Sequence, residues 1–176
     1  IILGAVLLIK APELLEKRLG AKEKENTQKG VVALSGLLFL VGFIVAGLDY
    51  RFGWSHVPTW LVVVSSVVLL VSYALYGEVM RENAYLSRTI EVQNGQKVVD
   101  TGLYSIVRHP MYAVTVWLFL SIPVVLGSWW ALACFLPYVA VIAVRIVNEE
   151  KVLEKNLEGY AEYMKKVKYR LLPFIW

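Results

Sequence analysis

Cysteine is almost missing from this chain of 176 residues. Cys134 is the only one, and it lies inside an apolar block. That excludes an internal disulfide and a thiolate metal site. Histidine is nearly as scarce: His56 and His109 stand in separate loops, and no metal is expected. Charge is thin too, at 18% of residues against 58% apolar, which excludes an ordinary soluble domain of this length. The net charge of +4 is modest. It fits a basic face on an anionic leaflet better than a nucleic-acid footprint, and no nucleic-acid-binding motif is present. There is no internal repeat and no low-complexity linker. A chain this long is expected to form one domain.

What the chain does have is apolar residues in blocks, which read as membrane spans. The expected class is an all-α integral membrane protein of about five transmembrane helices, near residues 1–19, 30–48, 57–86, 110–126 and 129–168. The opening run, Ile1 to Ile9, is too short to span, and no basic stretch precedes it as in a signal peptide. The first helix is therefore expected to be truncated here and longer in the full protein. The other apolar blocks run from about Gly30 to Leu48, Val57 to Gly77, Pro110 to Leu126 and Trp129 to Val144. The last continues as a charged helix. Gly127-Ser128 is the only punctuation between the last two blocks, so they are expected to form an antiparallel C-terminal hairpin. Arms of roughly 16 residues rise about 24 Å, short for a core of ~30 Å. Such arms must tilt little or cross incompletely. Pro123 and Pro137 are expected to kink them.

The loops orient the molecule. If every block crosses, the segment Lys10 to Lys29, the loop Glu78 to His109 and the tail from Arg145 share one side. They hold all the basic residues except Arg51. The excess of Lys and Arg on that side predicts that it faces the cytoplasm. Trp54, Trp60, Trp129 and Trp130 fall at the opposite helix ends and read as an aromatic belt. The first loop, with Glu13, Glu16, Lys17, Arg18, Lys22, Glu23, Lys24 and Glu25, reads as a solvated or interfacial helix. In the long third loop, Thr89-Ile90-Glu91-Val92 and Lys97-Val98-Val99 flank Asn94-Gly95, which predicts a small β-hairpin. A polar loop of that length is expected to be functional.

Two stretches carry chemistry. The first is Thr101 to Tyr112, which contains Arg108-His109-Pro110 at the start of the fourth apolar block. Pro110 suits the first turn of a helix, and the free N–H groups of that turn make an anion site. The plain alternative is a basic interface anchor capped by proline. The second stretch is Arg145-Ile146-Val147-Asn148-Glu149-Glu150. Arg145 and Glu149 share a helix face. They read either as an exposed ion pair of little worth or as a functional charge at the membrane edge.

Taken together and in order, these residues resemble the isoprenylcysteine carboxyl methyltransferase family and the related membrane phospholipid methyltransferases. The shared pattern is Gly102, Tyr104, Arg108-His109-Pro110, Tyr112, a membrane hairpin, then Arg145 with Glu149-Glu150. The end also recurs, in Glu158-Gly159-Tyr160, Glu162-Tyr163 and Leu172-Pro173-Phe174-Ile175. The match runs from about Gln93 to the C-terminus. The family usually has Gly two residues after the second Tyr, where this chain has Val114.

The resemblance implies an S-adenosyl-L-methionine site on the cytoplasmic side, built within residues 89–176, and a lipophilic small-molecule or lipidated acceptor. Carried over by position, Gln93, Val98, Val99, Tyr104, His109, Pro110, Met111, Tyr112 and Glu149 would line the cofactor. Arg145 and Arg108 would face the acceptor, and Arg145 and Glu150 are the catalytic candidates. Tyrosine faces and Glu149 complement the cofactor's cations. A carboxylate acceptor, with a pKa near ~3.5, is already a nucleophile at neutral pH. Alignment then replaces a general base. An amine acceptor must lose a proton, which would make Glu150 or His109 a base. Two further readings stay open: a sterol or enone reductase using a nicotinamide cofactor, and a non-enzymatic membrane protein.

Overall fold

A computed structural model describes residues 26–86, 90 and 92–176. The expected helix at 1–19 and the charged segment that follows it lie outside the described residues. The regular secondary structure among the described residues is all helical. The order is α1 (Asn26–Phe52), α2 (Thr59–Glu82), a 3-10 turn (Gly102–Ser105), α3 (Pro110–Val125), α4 (Trp129–Phe135), α5 (Pro137–Asn156) and α6 (Tyr160–Lys166). Three stretches are long and apolar enough to cross a membrane: Lys29–Phe52, Thr59–Glu82 and Trp129–Asn156. Pro110–Val125 is apolar but shorter. The all-α membrane class holds, with α3 the short arm of the hairpin.

Two features differ from expectation. The stretch 129–168 is not one helix. Pro137 has no N–H to donate and opens α5 after a break at Leu136. Gly159, at φ +82°, ends the charged extension before α6. The β-hairpin around Asn94-Gly95 is a turn without strands among the described residues. Gly95 takes φ +72° as such a turn requires. But the Gln93 N–H donates to the side chain of Gln96 at 2.9 Å, and the Gln96 N–H to Gln93 O at 3.0 Å. These bonds close the turn on itself. Val92 and Val98, one on each arm of the expected hairpin, pack instead on the tail residues Leu157, Tyr160, Tyr163 and Val167. An isolated two-stranded hairpin has little stability of its own.

The chain divides into two compact units, each made of separated segments. One holds residues 30–76 and 111–145 and is referred to below as the span unit. Its outer surface is apolar, with Leu37, Leu40, Ile44, Val63 and Leu70 among the exposed side chains. The four tryptophans of the expected belt are exposed as well. An aromatic cluster gathers around the buried Phe135: Phe39, Phe43, Phe119 and Phe135 meet with ring centroids 4.7–6.3 Å apart, with Phe39 and Phe43 exposed on the outer side. Gly42 lies against Phe135 so closely that a Cβ there would sit 2.2 Å from the ring. The interior also buries Asp49. Its carboxylate accepts from the Ser55 N–H at 2.7 Å, from Ser55 Oγ at 2.5 Å and from Ser128 Oγ. Ser128 caps α4 by accepting from the Ala131 N–H at 3.0 Å. The loop after α1 and the tip of the hairpin therefore meet at one end of this unit, the arrangement an antiparallel hairpin requires.

The other unit holds the described part of residues 1–29, with 77–110 and 146–176. It is referred to below as the motif unit, because the Arg-His-Pro and Glu-Glu motifs both fall in it.

Candidate functional site

Sequence motifs that lie about forty residues apart meet in the motif unit around Glu150. This carboxylate is buried. Its Oε1 accepts from Arg108 Nε at 2.7 Å and faces His109 Nε2 at 3.3 Å. Its Oε2 accepts from Arg170 Nε at 2.7 Å. Arg108 in turn donates from Nη1 to Val167 O at 2.7 Å and Lys168 O at 2.8 Å. The backbone joins in: the Arg108 N–H donates to Tyr169 O at 2.8 Å, and the His109 N–H to Arg170 O at 2.9 Å. Arg108, His109 and Pro110 are all buried. Pro110 is the first residue of α3, as its missing N–H favours. The network has charges of both signs and several hydrogen bonds per group, the condition under which buried charge is tolerated.

Tyr104 is buried in the 3-10 turn, where its hydroxyl accepts from Asn83 Nδ2 at 3.0 Å. Its carbonyl accepts from the Tyr163 hydroxyl at 2.7 Å. The turn itself depends on Gly102, at φ +50°, and on Glu82, which accepts from the Leu103 N–H at 3.1 Å. Gln93 lines a cleft of about 610 Å³ together with Val92, Gln96, Val152, Asn156 and Leu157. That volume is in the range of small-ligand sites. The lining mixes carboxamides and aliphatic groups with one carboxylate, Glu158, which suits a heterocycle with polar edges. Val98 and Val99 are half-buried. Val98 belongs to the packing around Tyr160 and Tyr163. Burial pushes both of these phenols well above the usual tyrosine range, so each remains a hydrogen-bond donor at neutral pH. Glu149 is half-buried on α5, next to Glu150 in the chain. At the surface, Lys166 bridges Asp100 at 2.7 Å and holds that carboxyl below its ordinary range.

The remaining candidates lie in the span unit. Met111 and Tyr112 are half-buried in the first turn of α3, and Val114 is buried. Arg145 is only 8% exposed. Its Nε donates to the Tyr112 hydroxyl at 2.8 Å. The reading of Arg145 as an exposed helix-end ion pair therefore gives way to a buried, oriented guanidinium. The structure thus forms two constellations: Arg108, His109 and Glu150 with the tail in one unit, and Tyr112 with Arg145 in the other. The sequence reading did not find Arg170, Asn83, Glu82 or Tyr163 as partners. Arg170 carried one signal, a lone arginine just before the family-like ending Leu172-Pro173. Tyr163 carried another, the recurring Glu162-Tyr163, while Asn83 and Glu82 carried none.

Comparison with known proteins adds three findings. The phospholipid methyltransferase family matches residues 54–159. A protein of Bacillus subtilis (strain 168), the uncharacterized protein YpbQ, is 27% identical over 140 residues, covering 79% of this chain and 82% of its own. The solved structure of a eukaryotic intramembrane Ras methyltransferase, an isoprenylcysteine carboxyl methyltransferase, superposes with a TM-score of 0.64 at 18% identity. It covers 80% of this chain, and the chain spans about half the length of that enzyme. At that identity the likeness is one of fold.

Proposed function

Because the chain belongs to the phospholipid methyltransferase family, we propose that it transfers the methyl group of S-adenosyl-L-methionine to a carboxylate on a lipophilic or lipidated acceptor in the membrane. The observation that carries the carboxylate reading is Arg145, a buried guanidinium where the apolar half of α5 ends, oriented by Tyr112. A charge at such a place is rarely idle. A guanidinium grips a carboxylate through two parallel hydrogen bonds and fixes its direction.

The residues of the motif unit fit the cofactor. The cleft beside Gln93 offers carboxamides and aliphatic walls for an uncharged nucleoside, and Glu149 offers a counter-charge for its amino-acid end. When bound, the cofactor supplies an electrophilic methyl on a sulfonium. An acceptor carboxylate oxygen forms the new C–O bond, and the pair from the broken C–S bond returns to sulfur. The chain's own groups bind and align. Arg145 holds the acceptor, while Arg108 and Glu150 are positioning groups that fix His109 and the start of α3. Glu150 already accepts from two arginines, so serving as a base would mean breaking those pairs.

The family's name favours a second reading, methylation of a lipid amine. Titration with S-adenosylhomocysteine and with NADPH tests the cofactor class. Binding of the first alone is expected, and binding of NADPH alone would make the chain a reductase. Labelled methyl transferred to lipid extracts and then treated with alkali tests the acceptor. A methyl ester releases volatile methanol, and a methylamine releases none. Arg145→Lys is expected to abolish most turnover with cofactor affinity nearly intact, since a misplacement of ~1 Å can cost ~100-fold. Equal rates for the two proteins would favour the amine.

We further propose that the four described apolar blocks all cross, with the motif unit in the cytoplasm. Cysteine labelling at Ser55 and Lys97 from each side checks this. Labelling of both positions from the same side would reject it.

A further inference from the structure

Among the described residues, the motif unit exposes few large apolar side chains, and two of them stand together at the end of the tail. Phe174 is 88% exposed and Ile175 77%. Neither is loose. The N–H groups of Arg170, Leu171 and Leu172 all donate to Trp176 O, at 2.8–3.2 Å, while those of Ile175 and Trp176 donate to Leu172 O at 3.2 Å. Phe174 sits at φ +66°, a conformation costly for a bulky residue. Its ring rests 5.3 Å from that of Tyr169, and the Arg170 guanidinium lies 5.1 Å from the Trp176 ring centre. The turn is tied down, and its strain holds two apolar side chains outward.

The backbone ties the base of this tip to the Arg-His-Pro motif. Tyr169 and Arg170 accept from the N–H groups of Arg108 and His109, and the next residue, Pro110, opens the apolar helix α3. One trans peptide covers 3.8 Å between Cα atoms, so the tail is strapped to the chain where it enters the apolar layer. Lys165 and Lys168 are exposed on the segment leading to the strap, beside Lys166, whose charge Asp100 pairs. Basic residues at such a level favour anionic headgroups, and aromatic and aliphatic side chains favour the interface just below them.

We propose that Phe174 and Ile175 insert into the cytoplasmic leaflet, so that the tail is an interfacial anchor pinning the motif unit to an anionic lipid surface. Charge complementarity and continuity with the start of α3 make lipid the occupant rather than a second protein. The proposal holds whichever acceptor is methylated.

Nitroxide accessibility in nanodiscs containing phosphatidylserine tests it on the full chain. With Cys134 replaced by alanine, single labels are placed at Ile175→Cys and, separately, Phe174→Cys. Leu40→Cys on the apolar face of α1 serves as the lipid reference, and Lys155→Cys on the charged part of α5 as the aqueous one. The expected result is an oxygen-to-nickel collision ratio at 174 and 175 clearly above that at Lys155 and below that at mid-span Leu40. A ratio matching Lys155 at both positions would overturn the anchor. So would low collision with both reagents, which would mean that protein covers the tip. Loss of S-adenosylhomocysteine binding in wild type would sink the methyltransferase reading and leave this result standing.

Discussion

Two buried carboxylates, one in each unit, show how differently the two halves of this molecule are held. Asp49 in the span unit is served by neutral donors, the Ser55 N–H and the hydroxyls of Ser55 and Ser128. Glu150 in the motif unit is served by two guanidiniums and an imidazole. The surroundings explain the difference. The span unit turns its aliphatic side chains outward, where lipid is as apolar as they are, so burying leucine gains little there. Packing must come from close fit and from hydrogen bonds, hence the Phe39, Phe43, Phe119 and Phe135 cluster and the Asp49 clasp. The motif unit is built like a soluble domain, with a small apolar core of Leu157, Tyr160, Tyr163 and Val167 and an ion network beside it. Neutral donors hold a hairpin tip. A charged network instead fixes three separate strands of chain on one carboxylate.

The sharpest way to break the comparison is to remove Glu150. In Glu150→Ala, Arg108 loses its carboxylate while still buried, and the cost expected for an uncompensated buried pair is ~3–5 kcal/mol. Denaturant unfolding in detergent should show the loss, and the fold of the tail should go with it. Stability within ~1 kcal/mol of wild type, a normal surface-mutation effect, would mean that the network is ornamental. Asp49→Ala should cost less, about 1.5–3 kcal/mol for hydrogen bonds to a charged group. Asp49→Asn should recover part of it, because the amide oxygen still accepts from the serines. If Asn is no better than Ala, the clasp depends on charge and the two carboxylates are alike.

Close fit can be tested separately. A Cβ at Gly42 would stand 2.2 Å from the Phe135 ring. Gly42→Ala is therefore expected to cost ~1–3 kcal/mol by overpacking, a loss that should shrink when Phe135→Leu makes room. A double-mutant cycle reads the coupling directly. Simple additivity would show that α1 and α4 do not depend on this contact.

The same contrast explains what the sequence revealed. Apolar blocks report the solvent around a helix, so 30–48 and 57–86 were legible. The first stops short of the true end because polar residues such as Asp49 and Arg51 continue α1 to Phe52, and the second overruns α2, which spans Thr59–Glu82. The charged continuation beyond Val144 is helical as expected, but only to Asn156, because a charged helical pattern does not show where a glycine turns left-handed, as Gly159 does. Arg108, His109, Tyr112, Arg145 and Glu150 were legible as a motif. Their partners were not: Arg170 lies twenty residues from Glu150, Tyr163 fifty-nine from Tyr104 and Ser128 seventy-nine from Asp49. Pairs so distant follow no local periodicity. Only the folded chain brings them together.

The smallest effect comes from two tyrosines on one seven-residue helix. In α6, the Tyr163 hydroxyl donates to Tyr104 O at 2.7 Å. Three residues earlier, the Tyr160 hydroxyl is buried and is the one such side-chain atom without a hydrogen-bond partner among the described residues. Their rings lie 5.7 Å apart in one cluster, so the setting is shared and only the hydrogen bond differs. Removing a satisfied hydroxyl forfeits about 1 kcal/mol, while removing an unsatisfied one relieves a desolvation cost. Tyr163→Phe should lower stability by about that amount. Tyr160→Phe should leave it unchanged or raise it by up to ~1 kcal/mol. Paired thermal unfolding of the two variants in the same detergent checks the sign. If Tyr160→Phe destabilises as much as Tyr163→Phe, the Tyr160 hydroxyl has a partner beyond the described side chains. The core of the motif unit would then be wetter, and closer in character to the polar interior of the span unit, than its apolar lining implies.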